Sequence, residues 1–331
     1  MAFQVALGIN AHVGYAEEVT YGTWVAPTNF LNTTSESMKL TQPYTPITVL
    51  GNSYHQNYVN GKRSVGGGVD FPADFNRSTA IWFKHALGNV VSTAVSGNAS
   101  AYNHYITASG TVPTALSLYV DRDANTIGTA YGYAGCNVSD IKITIDTDAV
   151  VKGAVTLVGQ NEQNVSYVNP SGIANPHFIT WDETFVPTLT SSGVAVFSGV
   201  QIHSLEIDIK NSLNENRYSL GQVTKTGLGL GGVRSVEGSM VIEFSQSSQY
   251  GYFQNGNEIS GNFALTGPLI SGSAYYSMNI DLPRMKITGD TPVAGSEGEL
   301  TMTVPFTCYQ DYLGTGKLLS VGFTNTDSTI H

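Results

Sequence analysis

The chain has 331 residues, 41 % of them hydrophobic, enough for two domains with a core each and unlike a disordered segment. Charged residues make up 12 %, about half the share usual in soluble domains, and 15 Lys and Arg stand against 25 Asp and Glu. A net charge of −10 excludes a binder that works by neutralising phosphates, and two cysteines, Cys136 and Cys308, exclude a disulfide framework.

Met1-Ala2-Phe3-Gln4 has neither the basic start nor the apolar core of a signal peptide, and no run approaches the roughly 18 apolar residues of a membrane helix. Folding in a reducing cytoplasm, with both thiols free and buried, is the expectation.

In chain order, a strand at 37–40 is followed by a long polar loop, 41–68, which ends in Gly66-Gly67-Gly68, and by a strand at 69–75. A helix is expected at 78–87. Asn76 or Asp74 can cap it, Gly88 can end it, and Ile81, Trp82 and Leu87 give it an apolar side. Strands follow at 115–121 and over 138–158. Within 139–148, Ile141, Ile143 and Ile145 alternate with Asp140, Lys142, Thr144, Asp146 and Asp148, the period of a strand with one face on a core. Residues 161–179, rich in Asn, Ser and Pro, read as a linker.

The second half repeats this order. In a strand at 202–210, Leu205, Ile207 and Ile209 alternate with Glu206, Asp208 and Lys210. A polar loop, 211–235, carries Gly227, Gly229, Gly231 and Gly232. A strand at 236–244 turns Val236, Met240, Ile242 and Phe244 inward, and a short helix at 246–254 precedes Asn255-Gly256. Strands at 276–287 and 299–308 close the half, the latter with Leu300, Met302, Val304 and Phe306 inward. Order and spacing match between the halves although few identities do. This reads as a duplicated domain, 1–165 and 166–331, of a mainly β fold with a short flanking helix in each copy.

The motifs that could carry chemistry fail on context. The Gly227–Gly232 loop is followed by a strand, whereas a dinucleotide loop must open a helix whose N–H groups meet the pyrophosphate. Asp121-x-Asp123-x-Asn125 begins like a calcium loop, but Thr126 stands where Gly is needed and Gly132 where the bidentate Glu belongs. The seven histidines have no metal-ligand spacing, and no Gly-x-Ser-x-Gly elbow presents a serine. No catalytic, cofactor or metal residues are expected, and no enzyme.

One stretch is more specific. Gly14-Tyr15-Ala16-Glu17-Glu18-Val19-Thr20-Tyr21-Gly22-Thr23-Trp24, with Pro27-Thr28 and an aromatic at Phe30 before Ser35-Glu36-Ser37, resembles the opening of phage tail tube (major tail) proteins. Tyr102 to Ile106, running on to Pro113 to Leu118, is similar to a second block of that family, and Tyr133 to Val138 to a third. Cys136 departs from the charged or small residue of the pattern.

The resemblance implies β-sandwich domains with a flanking helix, in which inner strands of neighbouring subunits join into a barrel around a channel and rings stack into a tube. It implies that the long early loop reaches the adjacent ring. Tyr54, His55, Tyr58, Lys62 and Arg63 are the candidates for that contact. Asp140, Asp146, Asp148, Glu206 and Asp208 are candidates to line a channel that lets DNA slide. With two domains per chain, three chains suffice for a pseudo-hexameric ring. The implied partners are further copies of the chain, other tail proteins at the tube ends, and phage DNA passing without sequence-specific binding. The implied place is the virion tail, assembled in the host cytoplasm without membrane insertion. The alternative is a virion decoration or glycan-binding adhesin that stacks sugars on Tyr54, Tyr58, Tyr102 and Tyr105.

Overall fold

Alternation of aliphatic and polar residues makes most of the described chain extended. The computed structural model describes residues 5–147, 149–171, 176–197, 199–289, 300–314 and 316–330. The first half opens with β1 (His12–Glu17), β2 (Asn29–Leu31), β3 (Ser35–Glu36) and β4 (Lys39–Thr41). A hairpin of β5 (Tyr44–Ile47) and β6 (Asn57–Asn60) follows, then β7 (Ser64–Pro72) and α1 (Arg77–Leu87). Next come β8 (Gly88–Val95), β9 (Asn98–Ala108), β10 (Leu116–Asp121) and a short α2 (Ala124–Ile127). β11 (Ala130–Asp146), β12 (Lys152–Gly159) and β13 (Asn161–Val165) complete the half.

The second half comprises β14 (Thr184–Ser191), β15 (Val194–Ala195), β16 (Ile202–Lys210), β17 (Ser235–Glu243) and α3 (Ser247–Gln254). It ends with β18 (Glu258–Ser271), β19 (Ala274–Ile287), β20 (Thr301–Cys308) and β21 (Ser320–Asn325).

All the pairings are antiparallel, and their order recurs. In the first half β2 pairs β1, β1 pairs β10, and β10 pairs the start of β11, which also takes β13. The far end of β11 pairs β12, β12 pairs β7, and β7 carries β3 and β4 on its outer side. The second half runs β15–β14–β18–β19, with β21 beside the start of β19. It continues β19–β20–β17–β16. Among the described residues the hairpins β5–β6 and β8–β9 have no counterpart in it. This is a mainly β fold of the sandwich class, the long strands β11 and β19 passing from one sheet to the other.

Two ladders join the halves. β16 pairs β11 with Asp140 opposite Lys210 and Asp146 opposite Ser204, and β21 pairs β9. One run of eight strands, β4–β7–β12–β11–β16–β17–β20–β19, therefore crosses both halves. A single apolar cluster, from Val13 to Ile330, lies beneath it.

Helix α1 is almost wholly inside, with Ile81, Trp82, Phe83 and Leu87 all at 0 % exposure. Asp74 provides its cap: the Thr79 N–H donates to Asp74 Oδ1 at 3.3 Å and the Asp74 N–H to Thr79 Oγ1 at 2.7 Å. The Asn76 side chain instead accepts the His177 N–H, at 3.1 Å. Gly88, at φ 98°, ends the helix as expected. α3 starts with a capping box of Gln246 and Gln249.

Three expectations need adjustment. Residues 161–179 are not simply a linker: 161–165 form β13, and the Phe75 and Val151 N–H groups donate to the carbonyls of His177 and Ile179. Loop 41–68 contains a hairpin and the start of β7, whose Gly66-Gly67-Gly68 offers no side-chain alternation to read. Leu300 precedes β20 and is 37 % exposed, so only Met302, Val304 and Phe306 turn inward there.

Candidate assembly surface

The eight-strand run has one apolar face on the core and one face left open. β11 and β16 show how alternation divides them: Ile141, Ile143, Leu205, Ile207 and Ile209 are buried, while Asp140, Asp146, Glu206 and Asp208 project from the other side. Four of the five candidate channel acids thus share one face, and Asp148 lies outside the described residues. The same face carries cations that the emphasis on acids passed over. Lys142 Nζ lies 2.8 Å from Glu206, and Lys210 Nζ lies 3.3 Å from Asp208 and 3.0 Å from Glu237. Glu237 and Asp208 stand directly opposite each other across β16–β17, and the Lys210 ammonium between them relieves the like-charge contact. Donating to Glu237 first, and then to Asp208, raises the Lys210 pKa above its ordinary range. The face is mixed in charge, with small polar residues such as Thr144, Ser239 and Thr303 between the ions.

The five candidate stacking residues divide. Tyr54 and Tyr58 project from the β5–β6 hairpin at 79 % and 63 % exposure, and His55 Nδ1 lies 2.7 Å from Thr48 Oγ1 across its tip. Tyr44 and Tyr58 meet edge to face, 6.3 Å between centroids. Lys62 and Arg63 lie at the base: Lys62 Nζ sits over the Tyr218 ring at 4.7 Å, and the Arg63 N–H donates to the Val223 carbonyl at 2.8 Å. Tyr54 and Tyr58 lie on a different hairpin from Tyr102 and Tyr105, which belong to β9 in its ladder with β21.

The second long loop, 211–234, is tied down. Lys225 is 1 % exposed, its Nζ donating to Ser64 Oγ and the Gly159 carbonyl, each at 3.2 Å, and burial lowers its pKa. The Tyr218 hydroxyl donates to the Arg63 carbonyl at 2.7 Å. This loop closes over the first half, whereas the β5–β6 hairpin extends away from it.

The three sequence blocks quoted above converge on Glu18, which is 3 % exposed. Its carboxylate accepts the Gly22 N–H at 2.7 Å, the Ser117 hydroxyl at 2.8 Å and the Gly135 N–H at 2.7 Å. Gly22 and Gly135 have φ of 74° and 68°, conformations that favour glycine, and a Cβ on Gly22 would fall 1.9 Å from Gln160 Oε1. The aligned family residues thus build the turn that anchors β1 to β10 and β11, a structural role.

Asp121 and Asp123 cap a turn: the Ala124 N–H donates to Asp121 Oδ1 at 2.5 Å, and Asp123 Oδ2 accepts Leu7 N–H at 3.1 Å and the Thr126 hydroxyl at 3.0 Å. No cluster of three potential metal ligands occurs among the described residues, nor a helix long and apolar enough to cross a membrane. Cys136 and Cys308 are both buried and free, and burial drives each thiol pKa up.

Among the described residues the antiparallel β-sandwich leaves one broad polar sheet face open, with β3 and β4 paired only to β7 at one end of the run. A family model for phage tail tube proteins matches residues 8–312, nearly the whole chain, and the chain belongs to that family. No curated protein matches it. Its role is that of a structural protein of the phage tail, part of the virion.

Proposed function

We propose that three copies close into a pseudo-hexameric ring whose barrel receives eight strands from each, and that rings stack into a tube for DNA passage during genome ejection. The observation that carries this reading is the β11–β16 joint. β3 and β4 stand to β7 as β16 stands to β17, and β19 stands to β20 as β11 stands to β12. Among the described residues β3 and β4 pair only with β7. The joint made once inside the chain can therefore be made again between chains, the end of β19 in one copy, at Ile287 and Thr288, meeting β3 and β4 of the next. Such a head-to-tail contact closes a ring after a fixed rotation and removes the open strand edges. The joint within each chain costs no association entropy.

The direction of the open face follows. α1 and the second sheet cover the apolar side, so the uncovered polar side lines the channel. Neighbouring Lys and acid residues there, with a small acidic excess, hold phosphate weakly. The β5–β6 hairpin reaches the adjacent ring, and other tail proteins take its place at the tube ends. Native mass spectrometry of rings, with electron microscopy without imposed symmetry, tests the reading. Three chains per ring with two alternating sandwich units is the expected result. Six chains per ring would reduce the repeated pairing to a feature of one subunit.

A further inference from the structure

The internal joint is sealed by a pair of side chains, and the open edge carries the same pair. At the end of β16, Asn211 is fully buried and its Nδ2 donates to the carbonyls of Val138 at 2.8 Å and Ala86 at 2.9 Å. Its Oδ1 accepts Arg234 Nε at 2.6 Å, and Arg234 Nη1 donates to the Ser109 carbonyl at 3.0 Å. The Asn211 N–H completes the seam by donating to the Ser139 carbonyl at 2.8 Å. One half thus supplies an amide and a guanidinium, and the other supplies the backbone carbonyls of Ala86, Ser109, Val138 and Ser139.

Register places an equivalent pair on β4 and β7. Lys210 lies opposite Ser235 in β16–β17, and Thr41 lies opposite Ser64 in β4–β7. The residues one step beyond are Asn211 and Arg234 in the first case and Gln42 and Arg63 in the second. The same atoms meet: Arg63 Nε donates to Gln42 Oε1 at 3.2 Å. Here the pair is at the surface, and Gln42 Nε2 reaches only the Gly61 carbonyl of its own turn, at 3.4 Å. On the opposite edge, Val138 faces Leu157 in β11–β12 as Ile287 faces Phe306 in β19–β20. Ile287 and Thr288 therefore stand where Val138 and Ser139 stand at the internal seam.

We infer that Gln42, held by Arg63, forms the latch between copies, binding the backbone of the next copy at Ile287 and Thr288 as Asn211, held by Arg234, binds Val138 and Ser139 within the chain. The inference rests on the ring reading and adds the residues that hold the ring shut. Arg63 Nε on Gln42 Oε1 fixes the amide, which leaves Gln42 Nε2 for a carbonyl of the next copy. A lysine ammonium lacks the planar fork that sets this orientation. The seam so formed is charge-assisted and removed from water, where such bonds are strongest.

The test uses the full chain. Arg63→Ala and Gln42→Ala should leave the unfolding midpoint of the unassembled chain unchanged, because both residues are at its surface. Each should raise the protein concentration for half-assembly, read by sedimentation velocity, by about tenfold or more. Arg63→Lys should not restore it. Gln42→Cys combined with Thr288→Cys should give, on mild oxidation, covalent ladders of chains that end at three. Variants that assemble at the wild-type concentration, or a double-cysteine chain that forms no ladder while its tubes persist, overturn the latch and leave the ring reading standing. Wild-type chains that never assemble overturn both.

Discussion

Glu18 is a buried carboxylate whose partners are all neutral: two backbone N–H groups and one hydroxyl. Removing it leaves those donors unpaired in a dry turn, so Glu18→Ala should destabilise the chain by about 3 kcal/mol, measured by urea unfolding. Glu18→Gln should also cost stability, because its amide nitrogen would face an N–H. Asp74 shows the opposite balance. Burial lifts its carboxyl from 3.8 to about 6, outweighing long hydrogen bonds from Thr79 at 3.3 Å and Asn32 at 3.5 Å. A raised folded pKa means that the protonated form is the favoured one, so this contribution is full below pH 3.8 and is lost as pH rises to about 6. Asp74→Asn should keep the cap acceptor, flatten stability across that interval, and raise stability at pH 7.5 by on the order of 2 kcal/mol. A variant with the wild-type pH profile would show that Asp74 is not the group responsible.

At the scale of elements, the β5–β6 hairpin stands out because none of its strand residues is buried by the described residues. Every residue of β5 and β6 is exposed, and Tyr54, Tyr58 and Val59 give the hairpin apolar surface without a core. Replacing its distal part, residues 46–58, with a short Gly-Ser linker should leave the fold and unfolding midpoint intact and stop growth at single rings, as seen by negative-stain microscopy. Long tubes from this variant would place the ring-to-ring contact elsewhere. The hairpin was not legible as strands because both its faces are wet, so no alternation marks it. β8 escaped for a different reason: Val90 packs against the core, but its neighbour Val91 is 52 % exposed, so hydrophobicity does not alternate along it. Half-buried strands such as β16 and β20, and the α1 helix with its Gly88 stop, were legible because burial on one side imposes a period.

At the scale of the whole molecule, the mixed charge of the open face is the property that a channel would use. Changing Asp146, Glu206 and Asp208 to Lys should cost little stability, since exposed pairs contribute little, but it leaves Lys142 without Glu206 and Lys210 with Glu237 alone. Tubes should then form and retain DNA in a salt-dependent manner, with infectivity falling while particle number holds. Ejection equal to the parent would place this face outside the DNA path.

The alternation of Ile141, Ile143 and Ile145 with acids and lysine, the Gly88 helix stop and the Glu18–Gly22 block belong to the sequence itself, because local period, backbone freedom and turn chemistry act over a few residues. They determined a β fold, its repeated order of elements and the tail tube family. The tertiary structure alone decided that β11 and β16 pair across the halves, that Lys142 meets Glu206 and Lys210 meets Glu237, and that Arg63 and Gln42 stand in the register of Arg234 and Asn211. Those facts depend on which strands become neighbours, and neighbours so distant along the chain are chosen by the packing of the common core and not by any local pattern.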